Sequence, residues 1–228
     1  MTAPTLIVAL DQPDRDAALR LFDQVRDVVD FFKVGSELFT AAGPALVKEL
    51  TRDARVFLDL KFHDIPETVA RSVAAAAKLG VALLDVHCAG GGRMLRAARD
   101  AAGGVEVYGV TVLTHLDPAE LASTGVARPS RETAVLLAGL ALESGLSGVV
   151  ASAHELEAIR AATQGVLPVL VPGIRPKWAS DPGDQRRVAT PADAACAGAR
   201  FVVVGRAVSR AENPRDAAAR VLEELQTP

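Results

Sequence analysis

The sequence is poor in the residues that stabilise small extracellular domains. Among its 228 residues there are two cysteines, Cys88 and Cys196, and aromatic residues make up 4%. Neither cysteine belongs to a CxxC motif or to a Cys/His ligand spacing, which argues against a disulfide framework and a structural zinc site. We therefore expect two reduced thiols in a cytoplasmic protein.

Long apolar runs and an excess of positive charge are also missing. No run approaches the roughly 18 residues that a membrane span needs. The first residues carry no basic region followed by an apolar stretch, so we expect neither a signal peptide nor a membrane partner. The net charge is −3, which argues against nucleic acid as a partner, because proteins that bind its phosphate backbone are usually basic. A local pocket for one phosphate group remains compatible with this charge.

Half of the residues are hydrophobic, which is enough for a sizeable core without disulfides or metal. Short apolar runs rich in β-branched residues recur along the chain, and each predicts a buried strand. The eight runs are Thr5–Leu10, Phe31–Gly35, Val56–Leu60, Ala82–His87, Val105–Val112, Gly148–Ala151, Leu167–Val171 and Phe201–Gly205.

Alanine-rich amphipathic segments lie between these runs and predict helices. They are Asp14–Val28, Gly43–Thr51, Glu67–Leu79, Gly91–Ala101, Arg131–Glu143, His154–Ala162, Pro191–Ala197 and Pro214–Leu225. Eight βα units predict a single-domain (β/α)8 barrel over residues 1–228. A doubly wound open sheet is the alternative, but such folds often carry GxGxxG after the first strand, where this chain has Asp11-Gln-Pro-Asp.

Charged residues stand at the carboxyl ends of several predicted strands, where barrel enzymes place their catalytic groups. Asp59 and Lys61 are two residues apart on the third strand, so regular alternation points both into the mouth and their apolar neighbours towards the helices. Lys33 ends the second strand and faces the same mouth. An ion pair that only fixes packing is the alternative, but buried ion pairs stabilise a fold poorly, which favours a functional role.

The seventh and eighth strands end in residues suited to a phosphate group. Arg175 closes the run Val-Pro-Gly-Ile-Arg, and Gly205-Arg206 follows the eighth strand. In this fold the loops after these two strands usually bind phosphate, with glycine admitting the ligand and arginines clamping it. A tight turn with two solvated arginines is the alternative. The polar segment Pro176–Arg187 beside it predicts a lid.

These motifs resemble those of the bacterial orotidine 5′-phosphate decarboxylase family from the first strand to the last helix. The segment DLKFHDIP, residues 59–66, is the most specific of them, and PGIR and GR follow it in order. The matching segments are Ala9-Leu-Asp11, Phe32-Lys-Val-Gly35, Asp59-Leu-Lys-Phe-His-Asp-Ile-Pro-Glu-Thr68, Val110-Thr-Val-Leu-Thr114, Val171-Pro-Gly-Ile-Arg175, Asp184-Gln-Arg-Arg-Val188 and Val204-Gly-Arg206.

The resemblance implies a homodimeric barrel that converts orotidine 5′-monophosphate to UMP and CO2, the last step of de novo UMP synthesis. It implies no metal and no cofactor. By resemblance, Lys33, Asp59, Lys61 and Asp64 form a charged array, with Lys61 as proton donor to C6 and Asp64 reaching into the partner's site. The substrate-binding positions that it implies are Asp11 and Thr68 for the ribose, Thr114 for the pyrimidine, Gln185, Gly205 and Arg206 for the phosphate, and Arg175 at the base of the phosphate loop.

Two other functions remain open on the residues. Magnesium-dependent 3-keto-gulonate-phosphate decarboxylases and hexulose-phosphate synthases share the DxKxxD pattern, but the resemblance implies a glutamate ligand where this chain has Lys33. A barrel that binds a phosphorylated ligand without catalysis is the second alternative. The presence of all four charges of the array argues against it.

Overall fold

Eight parallel strands pair in chain order and close into a barrel, because β8 returns to pair with β1. The structure, a computed structural model, describes residues 3–179 and 189–226. The strands are β1 Thr5–Ala9, β2 Phe31–Gly35, β3 Arg55–Phe62, β4 Leu83–His87, β5 Glu106–Val110, β6 Gly148–Val150, β7 Val169–Val171 and β8 Phe201–Val204. The predicted (β/α)8 barrel is confirmed.

Helices follow the strands and cover the outside of the barrel. They are α1 Arg15–Val25, α2 Ser36–Leu50, α3 Pro66–Ala77, α4 Gly91–Ala101, α5 Pro118–Ser123, α6 Ser130–Glu143, α7 Ala153–Ala162, α8 Pro191–Ala197, α9 Arg206–Ser209 and α10 Pro214–Gln226. A 3-10 turn, Cys88–Gly90, precedes α4. Within the described residues, no helix combines the length and the apolar character that crossing a bilayer demands.

Helix α2 differs from its prediction, which began at Gly43. It begins at Ser36 and consists of two helical pieces joined at Gly43, whose φ of 66° and ψ of −171° are not helical. Pro44 follows this kink and starts the second piece, which is the only piece that the pattern predicted. The first piece was missed because it is less than two turns long. Helices α5 and α9, at six and four residues, were missed for the same reason.

Strand β3 also differs from its prediction, since it continues to Phe62 and is irregular near its end. Leu58 pairs with Leu84 of β4, but the next pair is Phe62 with Val86, so β3 has two more residues than β4 over this stretch. Lys61 lies in this irregular stretch and has a φ of 49°. A bulge of this kind redirects a side chain.

The core has two layers, one inside the barrel and one between the strands and the helices. Aromatic rings fill the interior, and those of Phe31 and Phe201 meet edge to face at 5.6 Å. Further towards the carboxyl ends of β2, β3 and β4, the corresponding positions are taken by Lys33, Asp59 and Asp85. The change from apolar to charged residues marks where packing ends and the site begins.

Candidate active site

A cavity of about 690 Å³ opens at the carboxyl ends of the strands. Its floor is apolar and its walls are charged. The structure brings most of the expected site residues to this cavity, namely Asp11, Lys33, Asp59, Lys61, Thr114, Arg175, Gly205 and Arg206. Residues from β2 and β3 and from the segments after β1, β5, β7 and β8 thus meet in one place, as the barrel geometry requires.

Four side chains of alternating charge form a chain of ion pairs along one wall. Lys33 Nζ lies 2.8 Å from Asp11 Oδ1 and 3.3 Å from Asp59 Oδ2. Lys61 Nζ pairs with the other oxygen of Asp59. Within one chain the array therefore comprises Asp11, Lys33, Asp59 and Lys61, whose charges cancel, and it includes Asp11 in addition to three of the four residues that the resemblance implies. The side chains of Lys33 and Asp59 are 11% and 12% exposed, whereas Lys61 is 37% exposed and is the more accessible of the two lysines.

The ion pairs keep the two buried members of the array charged. Burial acts to lower the pKa of Lys33, but the carboxylates of Asp59 and Asp11 outweigh it and raise that pKa above its ordinary value. Burial likewise opposes ionisation of Asp59, but the ammonium groups of Lys33 and Lys61 lower its pKa. Asp59 is therefore a carboxylate and Lys33 an ammonium ion at neutral pH.

The sequence assigned no role to Asp85, which lies beneath the array on β4. It is 1% exposed and lines the cavity, and its Oδ1 accepts a hydrogen bond from the backbone N–H of Lys61 at 2.8 Å. Burial, and next the nearby negative charge of Asp59, raise the pKa of Asp85 well above its ordinary value. The available signal was an acidic residue at a strand end beside Asp59, but its burial follows only from the closed barrel.

Arginines also line the cavity. Arg175 follows β7, and Arg206 is the first residue of the single-turn helix α9. A Cβ atom at Gly205 would lie 3.7 Å from Ala9 Cβ and 3.8 Å from an Asp11 carboxylate oxygen, where it would fill cavity space. Arg210 also lines the cavity, and the sequence did not single it out. The result is a cationic end suited to an anionic group.

Two of the described site residues that were expected, Asp64 and Thr68, are not among those lining the cavity. Asp64 is exposed, and its Oδ1 accepts from the N–H of Ile65 at 2.6 Å, while Thr68 is half-buried on α3. The expected phosphate residue Gln185 lies outside the described residues, as does most of the expected lid 176–187. Ile65, next to Asp64, is 65% exposed despite its apolar side chain.

The beginning of the expected lid contacts the end of the chain. Trp178 donates a hydrogen bond from Nε1 to Glu224 Oε1 at 2.6 Å, and the guanidinium of Arg220 stacks over the indole ring at 4.6 Å. Both partners belong to α10. The segment that leaves β7 is therefore held against the last helix before it reaches the residues that are not described.

A barrel that joins a lysine–aspartate array to an arginine-lined end defines a (β/α)8-barrel enzyme for a small phosphorylated ligand. Comparison with known proteins gives the family. The chain belongs to the orotidine 5′-phosphate decarboxylase / HUMPS family, whose model matches residues 4–221.

Named relatives match over nearly their whole length. The orotidine 5′-phosphate decarboxylase of Legionella pneumophila (strain Paris) is 47% identical over 232 residues, covering 97% of this chain and 99% of the relative. The crystal structure of the Lactobacillus acidophilus orotidine 5′-phosphate decarboxylase superimposes with a TM-score of 0.86 at 33% identity, covering 99% of this chain and 100% of the other. The orotidine 5′-monophosphate decarboxylase of Methanocaldococcus jannaschii, complexed with the inhibitor BMP, gives 0.82 at 27% identity, with the same coverage.

Proposed function

We propose that this protein decarboxylates orotidine 5′-monophosphate to UMP and CO2, the last step of de novo UMP synthesis, without a metal or an organic cofactor. The observation that carries the proposal is the Asp59–Lys61 pair at the mouth of a barrel of this family. The pair stands in one cavity with the arginine-lined end, so one phosphorylated ligand can meet both.

Lys61 supplies the proton. Loss of CO2 breaks the bond between C6 of the pyrimidine and its carboxylate, and the electron pair of that bond stays on C6. A fixed ammonium group beside C6 stabilises this negative charge as it develops and then donates a proton to form the C6–H bond of UMP. The neutral amine of Lys61 regains a proton from water after the product leaves. Its greater exposure relative to Lys33 suits it to this role.

Asp59 and Lys33 set the electrostatics around the reacting carbon. A carboxylate at Asp59, next to the carboxylate of the substrate, repels it and is relieved when CO2 leaves. Lys33 holds Asp59 from the other side through its 3.3 Å ion pair, so the carboxylate cannot turn away from the site. Arg175 and Arg206 bind the phosphate far from C6 and thereby contribute binding energy to alignment.

We further propose that the protein is cytoplasmic and forms a homodimer of single-domain barrels, with active sites shared between the subunits. Asp64 and Thr68 are not among the residues that line their own cavity, yet both belong to the family motif. Ile65 lies between them in the chain and is 65% exposed, so a second copy that contacts Asp64 and Thr68 would also bury this apolar side chain. In the dimer Asp64 completes the charged array of the partner's site, and Thr68 contacts the ribose bound there.

A magnesium-dependent reaction on a sugar phosphate is the competing function. Lys33 argues against it, because its ammonium group stands between Asp11 and Asp59, the carboxylates that a divalent cation would need. The two functions separate in one assay, the loss of orotidine monophosphate absorbance with EDTA present. We expect turnover unchanged by EDTA. An absence of turnover, or turnover that returns only when Mg²⁺ exceeds the EDTA, would overturn the proposal.

A further inference from the structure

Lys61 has a backbone conformation that a lysine adopts only when its surroundings hold it there. Its φ of 49° lies in the left-handed region, which disfavours residues with a Cβ atom. The bulge of β3 also removes Lys61 from the regular pairing with β4. The Oδ1 atom of Asp85 takes over this pairing, since it accepts the Lys61 N–H at 2.8 Å. One carboxyl oxygen of Asp85 therefore fixes the backbone of the proposed proton donor.

The second oxygen of Asp85 has no donor. Oδ2 is buried and without a hydrogen-bond partner in the part of the chain that the structure describes. Lys33 and Lys61 both form their ion pairs with Asp59, and neither comes within ion-pair distance of Asp85. The side chain that lies close enough to Asp85 to share a side-chain hydrogen bond with it is the carboxylate of Asp59. Two carboxylates cannot bond to each other unless one of them carries a proton.

We propose that Asp85 is a positioning residue for the decarboxylation: as a neutral carboxylic acid it holds the Lys61 backbone through one oxygen and donates the proton on the other to Asp59. Its role rests on the proposed function and goes beyond it, since Asp85 acts through Lys61 and Asp59 and not on the substrate. Asp85 would thus hold both members of the Asp59–Lys61 ion pair, Lys61 through its backbone N–H and Asp59 through its carboxylate.

The groups that face Asp85 agree with a neutral acid. Burial and the carboxylate of Asp59 on β3 raise the pKa of Asp85, and Lys61 acts in the opposite sense without outweighing them. On β4, burial together with His63 and Lys61 lowers the pKa of His87, so His87 offers no positive charge at neutral pH. Tyr108, opposite Asp85 on β5, has a pKa raised by burial and is neutral too. An ionised Asp85 would add an uncompensated anion beneath a site for an anionic substrate.

Two substitutions separate the hydrogen bonds from the charge. Asp85→Asn keeps an oxygen for the Lys61 N–H and an NH2 donor for Asp59, so we expect kcat within about threefold of the wild type, as for the loss of less than one hydrogen bond. Asp85→Ala removes both bonds, and misplacement of the ammonium group is expected to lower kcat about 100-fold. The Kd for UMP should stay near the wild-type value in both, because the phosphate contacts are elsewhere.

Thermal unfolding tests the neutral state without any assay of activity. An acid whose pKa is higher in the folded than in the unfolded protein binds its proton more tightly when folded, so its contribution to stability is lost as the pH rises. We expect the Tm of Asp85→Asn relative to the wild type to increase as the pH rises above the ordinary pKa of an aspartate, and to level off once the raised pKa of Asp85 is passed. The exposed carboxylate of Asp23 is the control, and the Tm difference of Asp23→Asn should not increase over this range.

The outcomes are distinct. Asp85→Asn as inactive as Asp85→Ala, or Asp85→Ala as active as the wild type, would overturn the positioning role. A Tm difference for Asp85→Asn that is constant with pH would overturn the neutral acid, even if Asp85→Ala does not fold. A wild-type protein without orotidine monophosphate decarboxylation refutes the proposed function instead, and the unfolding experiment still reports the state of Asp85.

Discussion

At the scale of single residues, the chemical difference between lysine and arginine explains the charged array. The chain has 25 lysines and arginines, of which five are lysines, and two of these five are Lys33 and Lys61. A guanidinium group cannot act as an acid at neutral pH, whereas an ammonium group is compact and can give up its proton. In the proposed mechanism lysine therefore stands where a proton must move, and in the structure it stands where a point charge fits between two carboxylates.

Replacing the proposed proton donor tests this role. Lys61→Ala should lower kcat by about 10⁴-fold, because it removes both the acid and the positive charge beside C6. UMP should still bind, since the arginines that hold its phosphate are untouched, and calorimetric titration with UMP measures this. Lys48→Ala, an exposed lysine on α2, is the control and should retain full activity. Decarboxylation by the Lys61 variant at nearly the wild-type rate would mean that another group donates the proton.

A site residue can be predicted from the sequence when its own strand is enough to place it in the site. It cannot be predicted when its position depends on neighbouring strands or on a second chain. Asp59, Lys61 and Arg206 could be predicted, because strand ends in a barrel converge on one mouth. The burial of Asp85 could not be predicted, since it arises from the neighbouring strands. Asp64 is not among the residues that line the cavity of its own chain. The sequence of one chain does not show whether a second copy lies close enough for Asp64 to reach its cavity.

At the scale of elements, the strands were predicted well and the irregular segments were not. A barrel strand is buried on both faces, so it appears in the sequence as a continuous apolar run. The two additional residues in β3 leave no such trace, because the alternation from Leu58 to Phe62 fits a regular strand equally well. The kink of α2 was hidden in the same way, since Gly43 followed by Pro44 is also typical of the start of a helix.

Glycine substitutions in two helices are expected to have opposite effects. A Cβ atom at Gly43 or at Gly139 would meet nothing within 4 Å, so a steric clash contributes to the stability change at neither position. Gly43→Ala forces alanine into a conformation that is nearly exclusive to glycine and should destabilise the fold by about 1–3 kcal/mol. Gly139→Ala, inside α6, should stabilise it by about 0.5–1 kcal/mol. Urea unfolding of both variants measures the difference, and destabilisation of equal size would refute the conformational explanation.

At the scale of the whole molecule, the proposed shared site predicts that two inactive variants regain activity when their subunits are mixed. In a dimer of one Lys61→Ala chain and one Asp64→Ala chain, one site would carry both substitutions and the other neither. Random mixing of the two inactive proteins should restore about a quarter of wild-type activity, because about half of the dimers are mixed and each has one intact site of two.

Purification of the mixed dimer makes this test independent of subunit exchange. Co-expression of the two variants with different affinity tags yields it directly, and its expected activity is about half that of the wild-type dimer. A mixed dimer as inactive as its parents would place Asp64 in the site of its own subunit. A protein that sedimented as a monomer would refute the shared site altogether.

The pairing of β1 with β8 joins two strands that are synthesised at very different times. Thr5 is paired with Phe201, so the first strand is synthesised long before its partner exists. At about 5–20 residues per second, roughly 10 to 40 seconds of translation separate them. During this interval the nascent chain presents an unpaired strand edge that could join another polypeptide. Pairing of β8 with β1 closes this edge and therefore removes it as a place where another polypeptide can add.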